Sequence, residues 1–176
     1  MGGQPCVRVL GIDPGLAAVG WGVVDIDGAR AIYRGHGCCT TKAGDDIAER
    51  LATIRDSILA VIAEYKPTEA AMEALFFSRN VSSAFGVAEA RGVIRLACRD
   101  AGLLMAEYGP MDVKKAATGS GRSGKAEVQS FVRLVLGLDS VPKPDHAADA
   151  LAVALCHCQG RKIRSALVDA TRRGRL

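Results

Sequence analysis

Val7-Arg8-Val9-Leu10-Gly11-Ile12-Asp13-Pro14-Gly15 is followed closely by Ala18-Val19-Gly20-Trp21-Gly22-Val23-Val24-Asp25 and then by Asp27-Gly28. Val7 to Ile12 is a short apolar run and reads as a buried strand. Asp13-Pro14-Gly15 ends it, with proline and glycine in the places a type II turn favours. Ala18 to Asp25 reads as a second strand, Asp27-Gly28 as a hairpin turn, and Ala31 to Cys38 as a third strand. Strands joined by such short turns predict an antiparallel meander.

Downstream the period changes. From Asp45 to Tyr65 the apolar residues fall at Ile47, Leu51, Ile54, Ile58, Val61 and Ile62. That is helical spacing, and Lys66-Pro67 stops it. Glu69 to Leu75 reads as a strand, Asn80 to Ala101 as a long helix closed by Gly102, and Leu103 to Tyr108 as the last strand. Helices follow from Pro110 to near Gly119, from Glu127 to Leu136 and from Asp145 to about Cys158. A meander followed by right-handed β-α-β crossovers predicts one mixed α/β sheet of five strands, flanked by helices, with the first, fourth and fifth strands parallel. That order matches the ribonuclease H-like fold.

The 176 residues suit one domain, and 49% hydrophobic content is enough for a real core. No apolar run approaches the ~20 residues of a membrane span, and no secretory signal is visible. The expectation is a soluble, cytoplasmic protein without a membrane partner. Cys6, Cys38, Cys39, Cys98, Cys156 and Cys158 lack the C-x-x-C spacing of a zinc site, so reduced thiols, several of them in the core, are expected. Cys156-His157-Cys158 is at most a partial metal site. From Arg161 onward six basic residues face Asp169 alone, a local net of +5, while the remaining body carries 17 basic and 18 acidic residues. Residues 1–160 are therefore expected to form the domain and 161–176 a basic, flexible tail. Any nucleic-acid surface on the body must be a local patch.

Acidic residues fall where a sheet puts its chemistry. Asp13 ends the first strand and Glu73 lies near the end of the fourth, and open sheets place sites at such carboxyl ends. Glu73 (in Ala70-Ala71-Met72-Glu73-Ala74-Leu75) and Asp149 (in Ala147-Ala148-Asp149-Ala150-Leu151-Ala152) are acids among apolar neighbours. An unpaired charge there is costly. On the last helix Asp145, His146 and Asp149 are all candidates for a third group, since residues three or four apart share a face. Such a set of hard ligands suits Mg²⁺ or Mn²⁺. Two ions roughly 4 Å apart clamp the attacking water and the leaving oxygen of a phosphodiester.

Gly11-Ile12-Asp13-Pro14-Gly15 with Gly20-Trp21-Gly22 resembles the opening motif of the RuvC family of Holliday junction resolvases. Met72-Glu73, Phe76-Phe77, Asn80 and Glu89-Ala90-Arg91-Gly92 resemble its second motif. Lys114, the Gly119 to Lys125 loop and Ala147 to Ala152 complete the match from about Val7 to His157. The resemblance implies an endonuclease that cuts four-way DNA junctions by paired symmetric nicks in strands of like polarity, in DNA recombination and DNA repair. It implies two metal ions, Mg²⁺ or Mn²⁺, and Asp13, Glu73 and Asp149 as their catalytic ligands. A fourth ligand is implied three residues before Asp149, where many members carry aspartate. Aligned without a gap that position is His146, and the acid stands one place earlier at Asp145. A nitrogen ligand would favour Mn²⁺ and require neutral imidazole.

Lys114 and Lys125 match family lysines near the scissile phosphate, where they would stabilise transition-state charge. Phe76 is implied at an unpaired base, with Phe77 beside it and Arg79 and Asn80 in the same loop. Gly119 to Lys125 fits the first places of a Walker A loop, but Ala126 stands where serine or threonine must bind Mg²⁺. A glycine loop carrying Arg122 and Lys125 suits phosphate backbone better. The long helix has apolar residues around more than one stripe (Val81, Ala84, Phe85, Val87, Ala88, Val93, Ile94, Leu96), which suits the homodimer the family implies. RuvA and RuvB are implied partners. Three rivals share parts of the pattern: actin- and hexokinase-like ATPases, which need two such domains, small RNase H-like nucleases of the YqgF type, and a junction binder that has lost its chemistry.

Overall fold

The computed structural model describes residues 7–28, 30–74 and 81–173, and the side chains of 81–83 and 162–173 lie outside that description. The strands are β1 (Val7–Asp13), β2 (Ala18–Asp27), β3 (Arg30–Thr40), β4 (Glu69–Glu73) and β5 (Leu104–Tyr108). The helices are α1 (Ile47–Tyr65), α2 (Val81–Asp100), α3 (Pro110–Thr118), α4 (Lys125–Leu136) and α5 (Asp145–Arg173). One five-stranded sheet has the order β3-β2-β1-β4-β5. β1, β2 and β3 pair antiparallel, while β4 runs parallel to β1 and β5 parallel to β4.

Alternation along the central strands builds two cores, because successive strand residues face opposite sides. Leu10, Ile12, Ala70 and Met72 pack with Ile54, Ile58, Ala90 and Ile94 under α1 and α2. Val9 and Ala71 pack with Val113, Val132 and Leu151 under α3, α4 and α5. Asp13 continues the parity of Val9 and Gly11, and Glu73 that of Ala71. Both carboxylates therefore project toward α5. They stand one step beyond the last paired residues of β1 and β4, Ile12 and Met72.

α5 is buried on nearly every side from Ala147 to Cys158, so it forms the spine of the second layer. Glycines on the sheet let it approach. A Cβ built on Gly20 would stand 1.9 Å from the His146 carbonyl oxygen, and one on Gly11 2.1 Å from that of Ala150. α1 begins behind Asp46, whose side chain accepts a hydrogen bond from the Ala48 amide at 2.8 Å.

Two expectations need correction. Gly15 is absent from the positive-φ glycines, so Asp13-Pro14-Gly15 is not a type II turn. Gly15 is required instead by close approach, since a Cβ there would meet the Ala18 carbonyl oxygen at 2.5 Å. The last helix does not stop at Cys158 but continues to Arg173. Beyond Gly160 the sequence holds good helix formers and no proline, so nothing local ends it. Arg161, the first residue of the expected tail, bonds Glu69 at 2.9 Å. No helix among the described residues is long and apolar enough to cross a membrane.

Candidate active site

The ends of β1 and β4 and the first turns of α4 and α5 meet at one edge of the sheet. His146 Nδ1 lies 2.7 Å from Asp13 Oδ2. Lys125, the first residue of α4, brings Nζ to 3.0 Å from Asp149 Oδ2 and 3.4 Å from Asp145 Oδ2. Lys143 pairs with Asp145 on its other oxygen at 3.0 Å. Asp145 thus pairs with two lysines, while His146 reaches the end of β1. Glu73, Lys114, Lys125 and Asp149 line a cleft of about 200 Å³ floored by Val113, Val128 and Val153.

Burial dominates the electrostatics of the strand-end acids. Burial raises the Asp13 carboxyl above its ordinary value; the His146 hydrogen bond works against that and the Asp149 charge adds to it. Glu73 is pushed up to about 7 by burial and then by the charges of Asp13 and Asp149. Lys125 is held above the usual lysine value, chiefly by its bond to Asp149. Burial is the main cause for both acids, and neighbouring like charges add to it.

A divalent cation fits that donor set. Asp13, Glu73 and Asp149 offer hard oxygens that repel one another without metal, and His146 adds a nitrogen. Among the described residues no three of these groups stand in a closed ligating arrangement. His146 is bonded to Asp13, and Lys125 to Asp149. Both partners sit about half exposed and can turn aside.

Of the other expected residues, Arg122 is exposed on the loop between α3 and α4. That loop is braced by Ser123 and Thr118 hydroxyls and by Glu127, which accepts from the Gly124 amide at 2.9 Å. Phe76, Phe77, Arg79 and Asn80 lie outside the described residues. Cys156 and Cys158 are core residues, and the His157 between them bonds Tyr108 at 2.9 Å and Glu69 at 2.7 Å. Sequence reasoning missed the grip of Lys125 on Asp149. It also missed the glycine trough under α5, although Gly20-Trp21-Gly22 with Gly11 carries its alternate-residue signal.

A family model described as Crossover junction endodeoxyribonuclease RuvC matches residues 9–157. The chain belongs to the RuvC family. The crossover junction endodeoxyribonuclease RuvC of Rubrobacter xylanophilus is 45% identical over 94% of this chain and 93% of its own length. That of Heliobacterium modesticaldum is 49% identical over 84% of this chain and 91% of its own. Among solved structures, Thermus thermophilus RuvC superposes with a TM-score of 0.82 at 38% identity, covering 89% of this chain and 96% of that one. A structure of T. thermophilus RuvC in complex with Holliday junction substrate matches with the same TM-score at 39% identity, over 86% and 92%. The yeast mitochondrial Holliday junction resolvase shares the fold, with a TM-score of 0.64 at 14% identity over 89% of this chain and 80% of that one. This RuvC-family chain is thus a nuclease of the Holliday junction resolvase class on the ribonuclease H-like fold, and a divalent metal belongs to its chemistry.

Proposed function

We propose that two ions, Mg²⁺ or Mn²⁺, are held by Asp13, Glu73, His146 and Asp149, and that the site hydrolyses one phosphodiester in each of two like-polarity strands of a four-way junction. The observation that carries this reading is the convergence of three mutually repelling carboxylates at one sheet edge, with Glu73 pushed up to about 7. When bound, the cations supply Lewis-acid stabilisation of phosphate charge and a nucleophile at neutral pH. Asp13 and Glu73 fix the ligand oxygens on rigid strand ends. Asp149 is freed as Lys125 leaves it. Lys125, with Lys114 across the cleft, then takes the phosphate and stabilises the charge that develops on it. Arg122 on the glycine loop holds the neighbouring backbone, and Phe76, Phe77, Arg79 and Asn80 complete the DNA contact in this reading.

Symmetric nicks need a two-fold assembly. Support for a homodimer lies on α2, which buries Ala90, Ile94 and Ala97 yet exposes Phe85 and Leu96 at 69% and 60%. A cytoplasmic location and work beside RuvA and RuvB belong to the same reading. The test is cleavage of a labelled mobile four-way junction, with Mg²⁺ and with Mn²⁺, beside linear duplex and an RNA–DNA hybrid. Paired nicks on the junction alone are expected. Tight binding without nicks would reduce the protein to a junction binder, and cutting of the hybrid would assign it another substrate.

A further inference from the structure

Helix α2 lies across the sheet from α5, and one of its charged side chains reaches the catalytic strand from that opposite face. Arg91 is 3% exposed, among the core residues Ala90 and Ile94. Its Nη1 donates to the main-chain carbonyl of Glu73. Its Nη2 donates to Glu107 Oε2 at 3.0 Å. Glu107 stands on β5 opposite Met72 and also accepts from Arg95 Nε at 2.8 Å. Pairing of β4 with β1 stops at Met72, so Arg91 fills a main-chain acceptor where the ladder gives out on that side. On its other side the strand end is still tied to β5, through the Ala74 amide and the Tyr108 carbonyl at 2.8 Å.

A buried guanidinium is costly unless its charge and donors are matched. An apolar side chain would pack among Ala90 and Ile94 without that cost. Glu107 matches the charge, but the match alone gives no reason to bury it. The planar fork reaches a carboxylate and a carbonyl together, which an ammonium does not do with one fixed geometry. We infer that Arg91 is a positioning residue for the reaction: anchored on Glu107, it fixes the end of β4 so that the Glu73 carboxylate keeps its place against Asp13 and Asp149. The inference rests on the reading of Glu73 as a metal ligand. Ligands need to be held this firmly, because a small misplacement of a reacting constellation is felt strongly in rate.

Arg91→Met alone would strand the Glu107 charge, so the double variant Arg91→Met/Glu107→Leu is the cleaner probe. It removes both charges together and leaves an apolar pair. The full-length double variant is expected to match wild type in circular dichroism and in metal-free junction affinity. Its Mn²⁺ affinity, measured by calorimetry, falls roughly 10- to 100-fold. Its single-turnover cleavage rate at saturating junction falls with it. Arg91→Lys recovers part of both. A folded double variant with wild-type Mn²⁺ affinity and rate overturns the inference, as does a rate loss that follows thermal stability alone. Glu73→Gln runs in parallel. If it too retains Mn²⁺ binding and cleavage, the assignment of Glu73 has failed, and the inference with it. If it abolishes both while the Arg91 variants behave as wild type, only the role of Arg91 has failed.

Discussion

The two ends of the sheet treat buried acids in opposite ways. At the end where β1 and β4 begin, Asp25 is 1% exposed and receives Arg8 Nε at 2.6 Å and Arg34 Nε at 2.7 Å. The Arg8 bond, with help from Arg34, holds its carboxyl below the ordinary value. Burial would raise Glu69 nearby, but His157 and Arg161 bring it below its ordinary value. At the opposite end Asp13 and Glu73 are raised, by burial first and by neighbouring acids as well. Arginine partners outweigh burial at one end, whereas at the other the partners of Asp13 and Glu73 do not. In the proposed reading the matched acids are structural, and the raised ones are those that take a cation.

The largest test of that contrast is Asp13→Asn. It should reduce junction cleavage by roughly 10²-fold or more, as several kcal/mol of metal-borne stabilisation is lost. Its metal-free melting temperature should stay level or rise, because repulsion with Glu73 and Asp149 is relieved. Gel-based cleavage and thermal melting check the two halves. A loss of stability comparable to the loss of rate would break the comparison.

Asp25→Asn should do the reverse. It removes the carboxylate that Arg8 and Arg34 share, and a broken buried pair costs about 3–5 kcal/mol, reduced here to about 2–3 because both arginines are partly exposed. Urea denaturation reads the loss, and the cleavage rate of the folded protein should be nearly unchanged. Gly20→Ala is smaller and lies at the Asp13 end, where Gly20 pairs with Asp13. Its methyl collides with α5 at His146, so overpacking of about 1–3 kcal/mol is expected, with a loss of metal affinity as His146 shifts.

The pH dependence separates the ends most finely. Glu73 is protonated more readily in the folded protein than in the unfolded chain. Its contribution to metal-free stability is therefore present below its ordinary 4.5 and lost as pH rises toward about 7. Asp25 has a lowered value, so its contribution is present above its ordinary 3.8 and is lost as pH falls below that. Equilibrium denaturation across this range should resolve both slopes. Saturating Mn²⁺ should reverse the upper one, because metal binds the ionised carboxylates.

Much of this contrast was legible in the sequence at one end only. Glu73 and Asp149 stand out as acids in apolar runs, and strand parity with helical spacing suffices to bring them toward Asp13. The meander and the parallel strands follow from period and turn chemistry. The other end left no comparable trace. Asp25 and Arg8 are ordinary charges in alternating strands, and only the antiparallel register that opposes them makes them a pair. His157 reads as part of a Cys-His-Cys cluster until Tyr108 and Glu69 are brought beside it from distant strands. The hold of Lys125 on Asp149 likewise depends on where α4 lands, and the reach of α5 to Arg173 on the absence of any local stop signal.

The most direct measurement is a calorimetric titration of the metal-free protein with Mn²⁺ at about pH 6 and about pH 8, in buffers of different ionisation enthalpy, beside Asp13→Asn. The account predicts Mn²⁺ binding with proton release near the lower pH, little release at the higher, and loss of this binding in the variant. Mn²⁺ binding that is unchanged in Asp13→Asn, or no binding to the wild type at either pH, would contradict it.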